Sequence, residues 1–407
     1  MSQNGPKMNE FEASTATEIR MDASRSTSVF LTIYSDFASA EKVWRRFEEY
    51  ADCYAFQSFD FLDVWYRNIG HRSGVEMQLV VAWGAAAKPL MILPLGIETS
   101  KLGRKLVWLG NEVNDYNAPI LAPNFGDCVA EGDFSRLWSD ILDTLPAHDY
   151  VELMRQPKMV GRQINPFTEL GLKLNASGTH MTQMSEDFDT YYDEKRTSKA
   201  KRQFRSRRKQ LNEIGETKYV HPNKVEDIHA SIDNLVALKS EALKAIGAPD
   251  FLAQPGYLDF YKELSAQSLN EGIGHVSHLE VGGEYVAGNW GLVFKGRFYY
   301  LLASYNGPKF GRYAPGLQAL VELMRWASEK KATLFDFTIG DEGYKAEWCE
   351  IHEDLYDHIQ ARSLRGVVAQ SLTNGFLLAK RTIKQNPKLW ALFTKLRAKL
   401  ANHRDFG

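Results

Sequence analysis

The chain has 407 residues, 44% of them hydrophobic and 25% charged, the balance of a soluble globular protein long enough for two cores. Its 49 Lys and Arg against 51 Asp and Glu leave a formal net charge of -2, so no molecule-wide field dictates binding to nucleic acid or a membrane. The three scattered cysteines, Cys53, Cys128 and Cys349, offer neither a zinc spacing nor a disulfide framework, and no apolar run approaches the roughly 18 to 20 residues that cross a bilayer.

Residues 1–27 are polar and mixed in charge, and they read as a disordered N-terminal tail, neither signal peptide nor anchor. A strand is expected over 29–34, helices over 38–50 and 59–69, a hairpin from 77–83 and 89–97, a strand over 105–109, a helix over 134–145 and an extended piece over 150–153. These make a first domain over 28–178. A second domain over 179–365 begins with helices at 199–214, 225–245 and 256–270. Strands at 275–281, 285–294 and 297–304 follow, joined by the tight-turn signals Gly282-Gly283-Glu284 and Lys295-Gly296. A loop, a helix over 317–330 and a strand over 333–337 complete it. The fold class is therefore α/β (α+β), with mixed central sheets flanked by helices. From residue 366 to 407 the chain reads as a basic helical tail broken by Pro387. That tail suits packing on the core, docking on an anionic membrane or contact with a partner.

Two blocks carry chemistry. The strand end Phe335-Asp336-Phe337 runs into Gly340, Asp341, Glu342, Gly343, Tyr344, Lys345 and Trp348, which gathers acid, base and charge within a few residues. A carboxylate there, Asp341 or Glu342, could take a proton from an attacking amine or hydroxyl, and Tyr344 could return one. The plainer alternative is that Asp341 caps a short helix while Lys345 pairs with a neighbour. Upstream, Gly311-Arg312-Tyr313-Ala314-Pro315-Gly316 has the glycine frame of a Walker A loop. Leu317 and Gln318 stand where that motif needs Lys and Ser or Thr, so a nucleoside triphosphatase is not indicated. What remains is a loop and helix start able to face an anion, although spacing alone favours an ordinary turn.

A third block, Lys195 to Lys209, holds nine cations and reads as a solvated face or an anion site. His275 and His278 on one strand and the isolated His352-Glu353 support no zinc motif, no G-x-S-x-G elbow is present, and Cys349 beside Trp348 reads as packing.

The two blocks together resemble the C-terminal half of GNAT-type acyltransferases of the CelD/FemAB-like branch. The matching residues are Tyr305, Arg312, Tyr313, Pro315, Gly316, Asp336, Phe337, Gly340, Glu342, Tyr344, Lys345 and Trp348, with support from Phe56-Gln57-Ser58, the basic segment near 200 and Val286-Ala287-Gly288. The resemblance implies tandem GNAT-like domains with the acyl-CoA site in the second. It implies Tyr305, Gly311, Arg312, Tyr313, Pro315 and Gly316 as cofactor-binding, Glu342, Tyr344, Asp341 and Lys345 as catalytic, and Asp336, Gly340 and Trp348 as substrate-binding. The activity it implies is acyl-CoA-dependent N- or O-acyl transfer, with acetyl-CoA or another acyl-CoA as co-substrate and no metal. The implied acceptor is an amino-sugar, glycan or envelope-lipid precursor, in exopolysaccharide or cell-envelope biosynthesis. The alternatives are an aminoacyl-tRNA-dependent FemAB-like peptidyl transferase and a non-catalytic scaffold of an envelope-biosynthesis complex. A cytoplasmic protein is expected, with an anionic partner at 195–209, peripheral membrane contact through the tail, and no nucleic acid as partner in the leading reading.

Overall fold

The structure, a computed structural model, describes residues 15–19, 29–84, 87–340, 342–386 and 388–389. The N-terminal half comprises β1 (Thr15–Ile19), β2 (Val29–Tyr34), α1 (Phe37–Glu48), α2 (Phe59–Trp65), β3 (Glu76–Trp83), β4 (Pro89–Ser100), β5 (Gly103–Trp108) and β6 (Ile120–Leu121). It continues through α3 (Phe125–Cys128), α4 (Phe134–Thr144), β7 (Tyr150–Pro157), the small hairpin β8 (Met159–Val160) and β9 (Gln163–Ile164), and β10 (Lys173–Gln183).

The C-terminal half comprises α5 (Phe188–Lys195), α6 (Ser198–Ile214), β11 (Thr217–Val220), α7 (Val225–Ala245), α8 (Tyr257–Ala266), β12 (Gly274–Val281), β13 (Glu284–Phe294) and β14 (Arg297–Tyr305). Then come α9 (Gly307–Phe310), α10 (Pro315–Glu329), β15 (Leu334–Ile339), β16 (Ile351–Ala361) and α11 (Leu364–Gln385).

One mixed sheet runs through both halves in the order β1-β2-β3-β4-β5-β7-β16-β10-β15-β14-β13-β12-β11, with β6 on β4. Its only parallel pairs among the described strands are β5 with β7 and β14 with β15. Each half thus repeats one plan: an antiparallel meander, a helix crossover (α4 or α10), and a strand returning parallel to the last one. The crossover helices are held by apolar stripes, Leu137, Trp138, Ile141 and Leu142 in α4 and Ala319, Leu320, Leu323, Met324 and Ala327 in α10. Lys295 and Gly296, both at positive φ, close the β13/β14 hairpin.

The halves are welded at the centre. β16 lies between β7 and β10, and β10, whose sequence precedes the second half, lies between β16 and β15. The boundary expected at residue 178 therefore falls inside a strand. One hydrophobic core includes Trp44, Phe56 and Trp108 with Phe260, Trp290 and Tyr299.

Three sequence expectations need correction. The tail expected over 1–27 contains β1, which pairs antiparallel with β2 at the end of the sheet; the rest of that tail lies outside the described residues. The helix expected over 59–69 is α-helical only to Trp65 and then widens into a π turn over Tyr66–Gly70. The final helix begins at Leu364, where the Ser363 side chain accepts from the Gly366 N-H. Pro387 and residues 390–407 lie outside the described residues.

Candidate active site

The site follows from a failure of pairing. β14 and β15 pair in parallel through Arg297↔Leu334, Phe298↔Phe335 and Tyr299↔Asp336, and there the ladder stops. Beyond it β14 stays with β13 as far as Tyr305, while β15 keeps to β10 on its other side. Thr338, at φ 55, turns the chain away, and its hydroxyl donates to the Tyr300 carbonyl at 3.2 Å, which pins the apex of the wedge. The β13/β14 register skips at the same level: Gly291 faces Tyr300 and Trp290 faces Leu302, so Leu301 is a bulge with no cross-strand partner. Such a bulge re-aims backbone groups out of the ladder.

The wedge opens into a cavity of about 450 Å³. Tyr305, Gly316 and Leu317 line one side, at the start of α10. Helix geometry leaves the N-H groups of that first turn without intrahelical acceptors, and the helix dipole adds partial positive charge there. Pro315 sits at the first helical position, where its missing N-H costs nothing. A side chain at Gly316 would bring its Cβ to 3.0 Å from the Tyr305 ring, so the glycine keeps this approach open.

Glu342, Tyr344, Lys345, Glu347 and Trp348 line the opposite side. Lys345 is buried, and its ammonium donates to the Ile339 carbonyl at 2.9 Å and pairs with Glu342 at 2.9 Å. Gly340 makes that fold-back possible: at φ 131 it adopts a conformation few side chains tolerate, and a Cβ there would strike the Glu342 carboxylate. Glu342 itself stays exposed to the cavity mouth. Burial, followed by the Glu342 charge, pushes the Tyr344 phenol well up, so it is a neutral donor at physiological pH. Trp348 is fully buried beneath the Arg196 guanidinium, which stacks 4.7 Å from its ring centroid.

Of the residues singled out in the sequence, Tyr305, Gly316, Glu342, Tyr344, Lys345 and Trp348 meet in this cavity. Asp341 lies outside the described residues. Gly311, Arg312, Tyr313 and Pro315 support it without lining it: the Arg312 guanidinium donates to the Tyr313 hydroxyl and stacks on its ring, and Tyr313 and Pro315 are buried. The Arg312 guanidinium thus lies against its neighbour's ring rather than in the cavity lining. Asp336 also points elsewhere. It is fully buried, receives the Tyr116 hydroxyl and the Thr338 N-H at 2.8 Å, and pairs with Arg297 at 3.4 Å. Tyr116 comes from the N-terminal half, so Asp336 ties the halves together behind the wedge.

Sequence reasoning missed Lys239, Asn289 and Thr338, all of which line the cavity, as does Tyr300, which begins the Tyr300 to Tyr305 stretch expected from the resemblance to supply backbone donors for an oxyanion. Lys239 had a readable signal. It continues the buried stripe Ile228, Ile232 and Leu235 of α7, and a lysine on a core-facing stripe requires a reason. Its ammonium donates to the Ala303 carbonyl at 3.4 Å; burial pushes its pKa down, and the Glu342 charge opposes that. Burial also pushes the Cys349 thiol up to about 12, so it is not a thiolate nucleophile. Among the described residues no group of three or more His, Cys, Asp or Glu could hold a metal.

The N-terminal half has the same wedge, closed. β5 and β7 pair in parallel only at Lys105↔Tyr150 and Leu106↔Val151. Asn114 then donates to the Leu109 carbonyl at 3.0 Å, and Asn117 donates from its side chain to Met154 at 3.1 Å and from its backbone to Arg155 at 3.0 Å. Two asparagines therefore take the strand groups that a ligand would otherwise meet.

Residues 198–346 match the family model described as an acetyltransferase (GNAT) domain. The match runs from the start of α6 to the polar turn, so it contains both sides of the open wedge, and over this segment the fold is that of a GNAT-type acyltransferase. Among solved structures, the chain is similar to FemX at a TM-score of 0.53 and 9% identity, covering 79% of this chain and 93% of that one. It is similar as well to the C-terminal domain (DUF2156) of a candidate lysylphosphatidylglycerol synthetase from Agrobacterium fabrum, at a TM-score of 0.50 and 10% identity, covering 83% and 97%. At such identities the likeness is one of fold. No curated protein matches the chain by sequence.

Proposed function

We propose that the chain is an acyl-CoA-dependent N- or O-acyltransferase whose acceptor is an amino-sugar, glycan or envelope-lipid precursor, acting in exopolysaccharide or cell-envelope biosynthesis. The observation that carries this reading is the open β14/β15 wedge, with a helix N-terminus on one side and a carboxylate, phenol and ammonium on the other. The α10 first turn suits the phosphates of the coenzyme, and the wedge suits its extended arm, laid along β14 beyond the point where its ladder with β15 ends. The Leu301 bulge supplies backbone donors for the thioester oxygen as negative charge develops on it.

Glu342 takes the proton from the acceptor amine or hydroxyl as the new C-N or C-O bond forms. Tyr344 gives its proton to the sulfur as the C-S bond breaks. Lys345 holds Glu342 in place. Both reactants sit in one cavity, so positioning supplies much of the rate. Release of free thiol from acetyl-CoA, followed with an amino sugar and then with a lipid-linked sugar as acceptor, tests the reading. Acceptor-dependent thiol release supports it, and tight coenzyme binding with no transfer to any acceptor replaces it with the scaffold alternative.

A second reading has its own observation. Arg202, Arg205 and Lys209 form an exposed basic face on α6, which packs against the start of α10 through Arg208, 3.3 Å from Gln318 and 3.4 Å from Glu322. That face suits an aminoacyl-tRNA donor. Retention of tRNA by the wild type at moderate salt, lost in the triple Glu variant of those three residues, favours it; absence of nucleic acid removes it.

A further inference from the structure

The outward side of α11 is apolar where a surface helix is ordinarily polar. Leu364, Val367, Val368, Leu372, Phe376 and Leu378 are all more than half exposed, and the first two thirds of the helix present no acidic side chain and only Arg365 as a cation. The inner side carries most of the helix's cations. It packs through Gly366 and Ala369, and a groove of about 390 Å³ beneath it is lined by Leu174, Leu377 and, at its exposed rim, Leu378, together with Asn175, Asp357, Lys380 and Arg381, with Lys384 donating to the Ser177 hydroxyl. The helix thus turns its cations toward the sheet and leaves a wide apolar face outward, an arrangement that needs a cover.

Charge says what the cover is. Between Asp357 and Asp405 the sequence contains ten Lys or Arg and not one Asp or Glu, whereas the remainder carries 39 basic against 51 acidic residues. A chain of net charge -2 has therefore gathered one sign at the end that bears the apolar face. Nucleic acid would use the charge and leave the leucines and Phe376 in water. A second copy of the chain would bury the apolar face and bring like charges together. An anionic lipid surface satisfies both, because acyl chains take the apolar face and headgroups take Arg365 and Lys388 at its ends. Among the described residues no helix is long and apolar enough to cross a membrane, so the helix lies on the surface.

We propose that α11 docks the protein on an anionic membrane, with the face Leu364, Val367, Val368, Leu372, Phe376 and Leu378 inserted at the headgroup boundary. The full-length protein is expected to sediment with vesicles of phosphatidylglycerol mixed into phosphatidylcholine, and far less with phosphatidylcholine alone. The triple variant Leu372→Ser, Phe376→Ser, Leu378→Ser changes only exposed positions. It should keep its circular dichroism and melting temperature and lose on the order of tenfold or more in vesicle affinity. The proposal is overturned if the wild type stays in the supernatant at low salt, or if the triple variant sediments like the wild type. It is also overturned if the wild type is a lipid-independent dimer that the triple variant dissociates.

Discussion

Asp336 and Glu342 are both carboxylates near the end of β15, and their surroundings give them different work. Asp336 is sealed behind the wedge among Tyr116, Arg297 and Thr338, where losing its charge strands a largely buried guanidinium. Asp336→Asn is therefore expected to cost about 3 kcal/mol or more of stability, read by denaturant melts, while leaving the KM for acceptor unchanged. A raised KM in a stable variant would return Asp336 to the binding site. Glu342 stands at the cavity mouth, paired with Lys345. Glu342→Gln keeps size and hydrogen bonding but removes the base, so turnover should fall by roughly 10²- to 10⁴-fold with coenzyme affinity intact. Tyr344→Phe should lose less. Normal turnover in Glu342→Gln would move the proton acceptor elsewhere.

His275 gives a residue-level pH test away from the site. It is buried against Trp326, 3.9 Å between ring centroids, and burial pushes its pKa down to about 3 from an ordinary 6.5. Below pH 6.5 the unfolded chain takes up a proton that the folded chain refuses, so this contribution to stability falls as pH drops from about 6.5 towards 3. Glu48 works in the opposite sense. Burial raises it to about 7, so its contribution grows as pH falls from about 7 towards 4.5. Comparing wild type with His275→Gln isolates the histidine: the wild-type advantage should shrink steadily below pH 6.5. A gap independent of pH would mean that His275 is protonated in place.

At the scale of elements, what could be read from the sequence was local. The β12-β13-β14 meander announces itself through Gly282-Gly283 and Lys295-Gly296, and α10 through Pro315 and its apolar stripe. β10 and β16 could not be read this way, because what makes them strands is each other and the ends of two distant strands, and β16 breaks the two-residue period with the polar run His352-Glu353-Asp354. For the same reason the site was half legible. The polar turn and Gly316 are written in motifs, whereas Lys239, Asn289 and Tyr300 enter the cavity from elements brought together by the sheet. Arg312 does not line the cavity, because its guanidinium folds back onto the neighbouring Tyr313 ring and hydroxyl, which no spacing reveals.

At the scale of the molecule, the repeated plan has been made unequal: two asparagines close the first wedge, and among the described residues the second opens into a cavity. The same sheet makes the halves inseparable. A fragment beginning at residue 180 cuts β10 and leaves β16 without β7, so it is expected to be unfolded by circular dichroism, and a cooperative melt from it would refute the weld. Binding must accordingly be measured on the full chain. The central claim is that the wedge and the α10 N-terminus hold acyl-CoA, and titration calorimetry with acetyl-CoA tests it most directly when wild type, Gly316→Asn and Gly316→Asp are compared. The two variants place side chains of nearly equal size beside Tyr305, so steric loss is common to both, and only the aspartate sets a negative charge where phosphate would sit. The account predicts binding to the wild type, weaker binding to Gly316→Asn and none to Gly316→Asp; no heat with the wild type, or equal affinity in the two variants, would contradict it.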